Sequence, residues 1–140
     1  MSVITKHVQI NSKGENDVTD LTDRIQKSLS ETSFLNGIVT IFVIGSTGAL
    51  TTIEYEPGLV RDFPAMLERI APKEIAYQHE RMWHDDNGHS HVRASLIGPS
   101  LVIPFVEGRL ALGTWQQIIF IELDTRPRSR EILLQIIGEK

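Results

Sequence analysis

Two histidines separated by one serine, His89-Ser90-His91, stand in the run Asn87-Gly88-His89-Ser90-His91-Val92-Arg93-Ala94-Ser95. On an extended strand alternate side chains share a face. His89, His91, Arg93 and Ser95 would then face one way, and Val92, Ala94 and Leu96 the other. With the apolar side turned to the core, the opposite side presents two imidazoles, a guanidinium and a hydroxyl in a row. Neutral imidazole is a good ligand for zinc and similar divalent ions. A catalytic zinc takes three protein ligands and keeps one position open. His79 and His84 are the upstream candidates for the third imidazole. A two-residue Asn87-Gly88 hairpin turn would set His84 opposite His91, whereas a longer loop would free His79. Spacing leaves that choice open, and alternating histidines also occur on solvated strand faces.

Three further groups carry chemistry. Gly45-Ser46-Thr47-Gly48 is turn-like, and its glycines let backbone amides approach an anion while Ser46 and Thr47 add hydroxyls. No lysine follows the second glycine, so it is not a nucleotide-binding Walker loop. Glu54 and Asp62 follow, each able to serve as a general base and each by default a surface carboxylate. Gly113-Thr114-Trp115-Gln116 opens an apolar run, where a tryptophan usually packs in a core or an interface. Arg126, Arg128 and Arg130 read first as a solvated basic turn beside Glu122 and Asp124, and second as a grip on phosphate.

The elements that must position these residues follow from periodicity. Val3 to Ile10 reads as a strand, and Asn11 to Asp17 as a turn. Val18, Leu21, Ile25 and Leu29 recur at helical spacing, with Asp17 or Thr19 as N-cap. Gly37 to Ile44 is β-branched and reads as a buried strand; Leu50 to Tyr55 resumes extended character. Leu59, Phe63, Met66, Leu67 and Ile70 form a second helical stripe, interrupted by Pro64. From Lys73 onward the chain reads as β, with a hairpin turn at Asp86-Asn87-Gly88 and further turns at Gly98-Pro99-Ser100 and Glu107-Gly108. Trp115 to Leu123 and Ile132 to Ile137 read as strands. Helices and strands segregate in this way in α+β domains with largely antiparallel sheets.

The 140 residues suit one domain, 1–140, with enough apolar side chains for one core. Cysteine is absent, so disulfides and thiolate ligands are excluded, and any metal must be held by His, Asp or Glu. A net charge of −4 gives no basic footprint for nucleic acid. No apolar run is long enough to span a bilayer, and Met1 to Ile10 does not read as a signal peptide. The expectation is a cytoplasmic protein with neither a nucleic-acid nor a membrane partner.

Taken together, the chain resembles the YjbQ-like family, the so-called secondary thiamine-phosphate synthases. The residues that carry the resemblance are Ser46 to Glu54 (STGALTTIE), Asp62, His79, the run Asn87 to Ser95, Gly98-Pro99-Ser100, Pro104, Gly108, Leu112 to Gln116 (LGTWQ), Glu122, Asp124, Arg126 and Arg130. The resemblance implies an α+β fold built on an antiparallel β sandwich with two helices, assembled as a homotrimer. It implies an enzyme that joins hydroxymethylpyrimidine diphosphate to a thiazole phosphate and releases pyrophosphate. A non-catalytic trimer that binds metal or a phosphorylated metabolite is the alternative. Carried onto this chain, the catalytic set is Glu54, His79, His89 and His91, and the resemblance selects His79 over His84. His79, His89 and His91 would hold a divalent ion, zinc or magnesium. Ser46, Thr47, Asn87, Trp115, Gln116 and Arg126 would hold the phosphorylated substrate. One departure stands out. Many relatives carry a histidine just before the Thr-Thr or Ser-Thr pair, where this chain has Gly45-Ser46.

Overall fold

The computed structural model describes all residues from Met1 to Lys140. Its eight strands are β1 (Ser2–Asn11), β2 (Val18–Asp20), β3 (Asn36–Val43), β4 (Gly48–Ile53), β5 (Ser100–Val106), β6 (Arg109–Leu110), β7 (Gln117–Glu122) and β8 (Ser129–Glu139). The four helices are α1 (Thr22–Ser30), α2 (Pro57–Ile70), α3 (Gln78–Trp83) and α4 (Gly88–Ile97). The strands form two sheets, β1-β8-β3-β5-β6 and β2-β7-β4, and every pairing is antiparallel.

The architecture is layered. The inward residues of the large sheet, among them Val39, Ile41, Ile103, Leu134 and Ile136, pack against Ile118 and Phe120 of β7 and against Leu21, Ile25 and Leu29 at α1. The opposite face of the small sheet carries Ala49, Ile119 and Ile121, which pack with Leu67 of α2 and Ala94 of α4. β7 is therefore buried on both faces, and its Ile-Ile-Phe-Ile run is apolar without alternation. This layering sets α4 on the small sheet beside the end of β4 that begins at Gly48.

The α+β class with antiparallel sheets agrees with the sequence reading, but two local readings need correction. Val18 lies in β2, not in the first helix, and neither Asp17 nor Thr19 caps it. Asp20 instead accepts from the Thr22 amide at 2.9 Å. The region after Lys73 is not wholly β, because it contains α3 and α4, so there are four helices rather than two. The second stripe begins at Pro57, in the first turn where proline is well suited, and the Glu56 carboxylate caps it by accepting from the Gly58 and Leu59 amides.

The histidine pair therefore stands on a helix. The buried side of α4 consists of Gly88, His89, Ser90, Arg93 and Ala94. Only Ala94 is an ordinary apolar core residue, so the usual apolar signature of a helix is missing. Asn87-Gly88 is the start of this helix, not a hairpin, and His84 ends α3 in the left-handed conformation at φ 56°.

Candidate functional site

On a helix of 3.6 residues per turn, positions 89 and 91 are about 200° apart. The two imidazoles leave α4 on nearly opposite sides. His89 is 1 % exposed and its Nε2 lies 2.5 Å from a Glu15 carboxylate oxygen. Glu15 also accepts from Lys73 at 3.0 Å. Its burial works against the carboxylate's charge, but His89 and Lys73 outweigh it and hold the acid below its usual range. Arg93, 1 % exposed, extends this network by donating to the Ala71 carbonyl at 2.9 Å and to Glu68. His89 thus joins a network of charged side chains, buried at His89 and Arg93 and exposed at Lys73 and Glu68, that ties α4 to the β1–β2 loop and to the end of α2.

His91 looks the other way, toward His79 of α3, with ring centroids 4.5 Å apart and planes tilted by 50°. The Asp85 carboxylate lies 3.0 Å from Nε2 of His79. The Asn87 amide reaches the same group; with its nitrogen turned to Asp85, it donates at 2.9 Å. Across the groove, Asp124 accepts from the Thr47 hydroxyl at 2.9 Å and from Nε of Arg128 at 3.1 Å. Burial works against the charge of Asp124, but Thr47, the Thr125 amide and Arg128 together hold its carboxyl below the usual range.

His91 is shifted in the opposite sense for a base. Burial, and then the neighbouring His79, depress its pKa, while Asp124, Asp85 and Glu80 only partly offset them. It is a neutral imidazole at pH 7, fit to accept a proton. Linkage fixes the sign of the stability effect. The unfolded chain takes up this proton near the ordinary histidine pKa of about 6.5, and the folded chain at a lower pH. The contribution of His91 to stability is therefore full above about pH 6.5 and is lost as pH falls toward the folded-state value. Histidine ring NMR should give a His91 midpoint below the ordinary one. A midpoint at or above it would contradict this environment.

The Gly45–Thr47 turn lies between β3 and β4. Gly45 and Ser46 are exposed, and the backbone amides of Gly45, Ser46 and Thr47 donate to no acceptor within the protein. A cleft of about 180 Å³ lies between this turn and α4, lined by Gly45, Ser46, Gly48, Ala94, Ser95 and Pro99. At the departure from the family pattern, a Cβ on Gly45 would stand 2.7 Å from Nη1 of Arg130.

The expected residues thus fall into three places. His79, His91, Asn87 and Thr47 gather at the groove between α3, α4 and the Gly45–Thr47 turn, with Ser46 on the cleft beside it. His89 stands apart in its own network. Glu54, Trp115 and Gln116 lie at the other end of β4: seven residues of extended chain separate Thr47 from Glu54, about 23 Å. There Glu54 and the 74 % exposed Trp115 border a separate acidic cleft with Tyr55 and Glu56. Gln116 donates to Thr52 at 3.2 Å. Arg126 is exposed and makes no ion pair, whereas Arg130 is buried and paired with Glu122. A single chain therefore does not unite the full expected catalytic and binding set.

A three-histidine metal centre does not fit this geometry. Nε2 of His89 is occupied by Glu15 on the far side of α4, and no group of three or more His, Asp or Glu side chains is arranged to hold an ion.

Sequence reasoning missed Glu15 and Asp85, and it named Asp124 and Arg130 without their contacts to Thr47 and Glu122. Asp85 carries no motif of its own, and Glu15 meets His89 across 74 positions.

The model of the UPF0047 protein YjbQ-like family matches residues 6–139. A UPF0047 protein of Methanothermobacter thermautotrophicus is 35% identical over 139 residues, covering 99% of this chain and 95% of the relative. The UPF0047 protein YugU of Bacillus subtilis is 30% identical over 135 residues, covering 95% of this chain and 98% of the relative. Among solved structures, a YbjQ-like protein of unknown function from Sulfolobus solfataricus is similar with TM-score 0.89 and 32% identity, covering 99% of this chain and 100% of that one. A hypothetical protein from Aeropyrum pernix is similar with TM-score 0.90 and 34% identity, covering 97% of this chain and 99% of that one. The motifs, the two-sheet fold and these matches agree, and the chain belongs to the UPF0047 (YjbQ-like) family.

Proposed function

We propose that this chain is a small enzyme acting on a phosphorylated heterocycle, with His91 as its proton carrier and the Gly45–Thr47 turn as its anion cradle. The observation that carries this reading is the pairing of a half-buried imidazole of depressed pKa with a neighbouring turn whose three amides are free to bind an anion. The candidate reaction is the one the family resemblance implies. The exocyclic C–O bond of hydroxymethylpyrimidine diphosphate breaks, and pyrophosphate leaves with the bonding pair. The ring nitrogen of the thiazole phosphate supplies the pair for the new C–N bond. A neutral His91 can take a proton from the pyrimidine amino group as the C–O bond breaks, then return it as the C–N bond forms. Asp85 and Asn87 would hold His79 in place beside it. No metal takes part in this scheme.

The test is incubation of the purified protein with both precursors. Formation of thiamine phosphate and pyrophosphate supports the reading. A second reading is a module that binds phosphorylated metabolites without turnover. It is favoured by the local charge balance, since Glu122 and Asp124 counter Arg130 and Arg128 and leave little net positive charge for a departing pyrophosphate. Saturable binding without product in calorimetry would support this second reading. Absence of both binding and product would contradict both.

A homotrimer is part of the proposal. Ile38, Phe42, Val102 and Val106 are exposed on the outer face of the large sheet, and a contiguous apolar patch of this kind usually marks an interface. Phe42→Asp should lower the mass measured by light scattering to that of smaller species. A wild-type protein already monomeric at micromolar concentration would contradict the assembly.

A further inference from the structure

We infer that the Arg130 guanidinium, reaching the Gly45–Thr47 turn through the space a side chain on residue 45 would fill, grips the phosphoryl group of the substrate. This rests on the reading of that turn as the anion end of the site, and it adds the side chain that selects the ligand.

Arg130 is only 7 % exposed, and two of its three nitrogens are committed. Nε donates to Glu122 at 2.9 Å, and Nη2 donates to Thr47 at 2.8 Å and to the second oxygen of Glu122. Nη1 makes no hydrogen bond within the protein. It is not sealed off, because Ser90 Oγ is the one buried side-chain N or O atom that lacks both solvent and a partner. A buried arginine thus keeps one N–H-bearing nitrogen open, pointed at Gly45, where a Cβ would approach it to 2.7 Å.

The surroundings favour an oxyanion there. Glu122 is fully buried and locks the guanidinium, so no side-chain freedom is lost when a ligand arrives. The charge of Arg130 is already countered by Glu122, so Nη1 acts through directed hydrogen bonds rather than bulk attraction. The free amides of Gly45, Ser46 and Thr47 supply further donors on the same turn. Gly45 and Ser46 also line a cleft of about 180 Å³ beside α4, enough space next to the turn for a phosphoryl group. The carboxylates at this turn are already engaged, Asp124 by the Thr47 hydroxyl and Glu122 by Nε and Nη2 of Arg130, so the open N–H donors of Nη1 and the three amides suit the three terminal oxygens of a phosphoryl group better than the two of a carboxylate.

The test is NMR titration of ¹⁵N-labelled protein with inorganic phosphate, and separately with acetate. Phosphate should produce saturable shifts at the Gly45, Ser46 and Thr47 amides and at the Arg130 side-chain Nε–H. Acetate should bind at least tenfold more weakly. Gly45→Ala, which sets a methyl against Nη1, should weaken phosphate at least tenfold. Gly45 has φ +156°, so alanine there also strains the backbone. If that variant does not fold, the wild-type Arg130 signal decides alone. An unmoved Arg130 signal, equal binding of acetate, or undiminished phosphate binding in a folded Gly45→Ala protein would overturn the inference. Loss of turnover with phosphate binding intact would count against the proposed reaction and not against this subsite. Turnover with an unmoved Arg130 would do the reverse.

Discussion

Arg130→Leu is expected to lower the unfolding free energy by about 3–5 kcal/mol, the usual cost of removing one partner from a buried ion pair. The reason is Glu122. It is fully buried and accepts from Nε and Nη2 of Arg130, from the Ser12 hydroxyl at 2.7 Å and from the Asp124 amide at 3.1 Å. Leucine leaves that carboxylate without its cation in a site water does not reach. It also removes the guanidinium from the Phe120 ring, 5.9 Å from its centroid. Urea unfolding of the variant measures the loss. The double variant Glu122→Gln/Arg130→Leu should recover a large part of it, because the orphaned charge is gone while the amide still meets Ser12. A single variant as stable as the parent would mean that Glu122 finds other compensation and that Arg130 is not fixed in the way the anion site requires.

The second large effect belongs to His91. If it carries the proton in the coupling step, His91→Ala should slow turnover by about 10²–10⁴-fold, the usual contribution of a positioned acid or base. His89→Ala should act differently. His89 is held by Glu15 on the other side of α4, so its loss should loosen the helix and lower the melting temperature. Turnover per folded molecule should fall much less than in the His91 variant. Equal losses of turnover in the two proteins at matched folded fractions would show that the histidines act as one centre, against the separation seen here.

The α+β class was legible in the β-branched runs at Val3 to Ile10, Gly37 to Ile44 and Ile132 to Ile137, and the Trp115 to Leu123 run marked the doubly buried β7. What failed was the segment that matters most for chemistry. Ser90, Arg93 and Ala94 bury one side of α4 without an apolar stripe, so helical periodicity was hidden, and Asn-Gly imitated a hairpin. Once His89 and His91 were placed on a strand they shared a face by construction; on a helix they divide. The Gly45–Thr47 turn was legible as a turn from its glycines and hydroxyls, and its role as an anion cradle belongs to the proposal. Arg130 read first as part of a solvated basic turn because it alternates with Arg126 and Arg128 in one short charged run. Its burial depends on Glu122 and Thr47, which sequence spacing does not bring to its side. Glu54 and Trp115 belonged to the same family pattern as the histidines, yet the length of β4 keeps them apart within one chain.

The most direct test of the account follows the five histidine rings by NMR while pyrophosphate is added. Signals of His79 and His91 should move and saturate together with the Gly45–Thr47 amides, while those of His7, His84 and His89 stay in place. Saturation that moves His89 as strongly as His91, or that leaves His79 and His91 unmoved, would contradict a phosphate-binding centre built on the groove between α3, α4 and the Gly45–Thr47 turn.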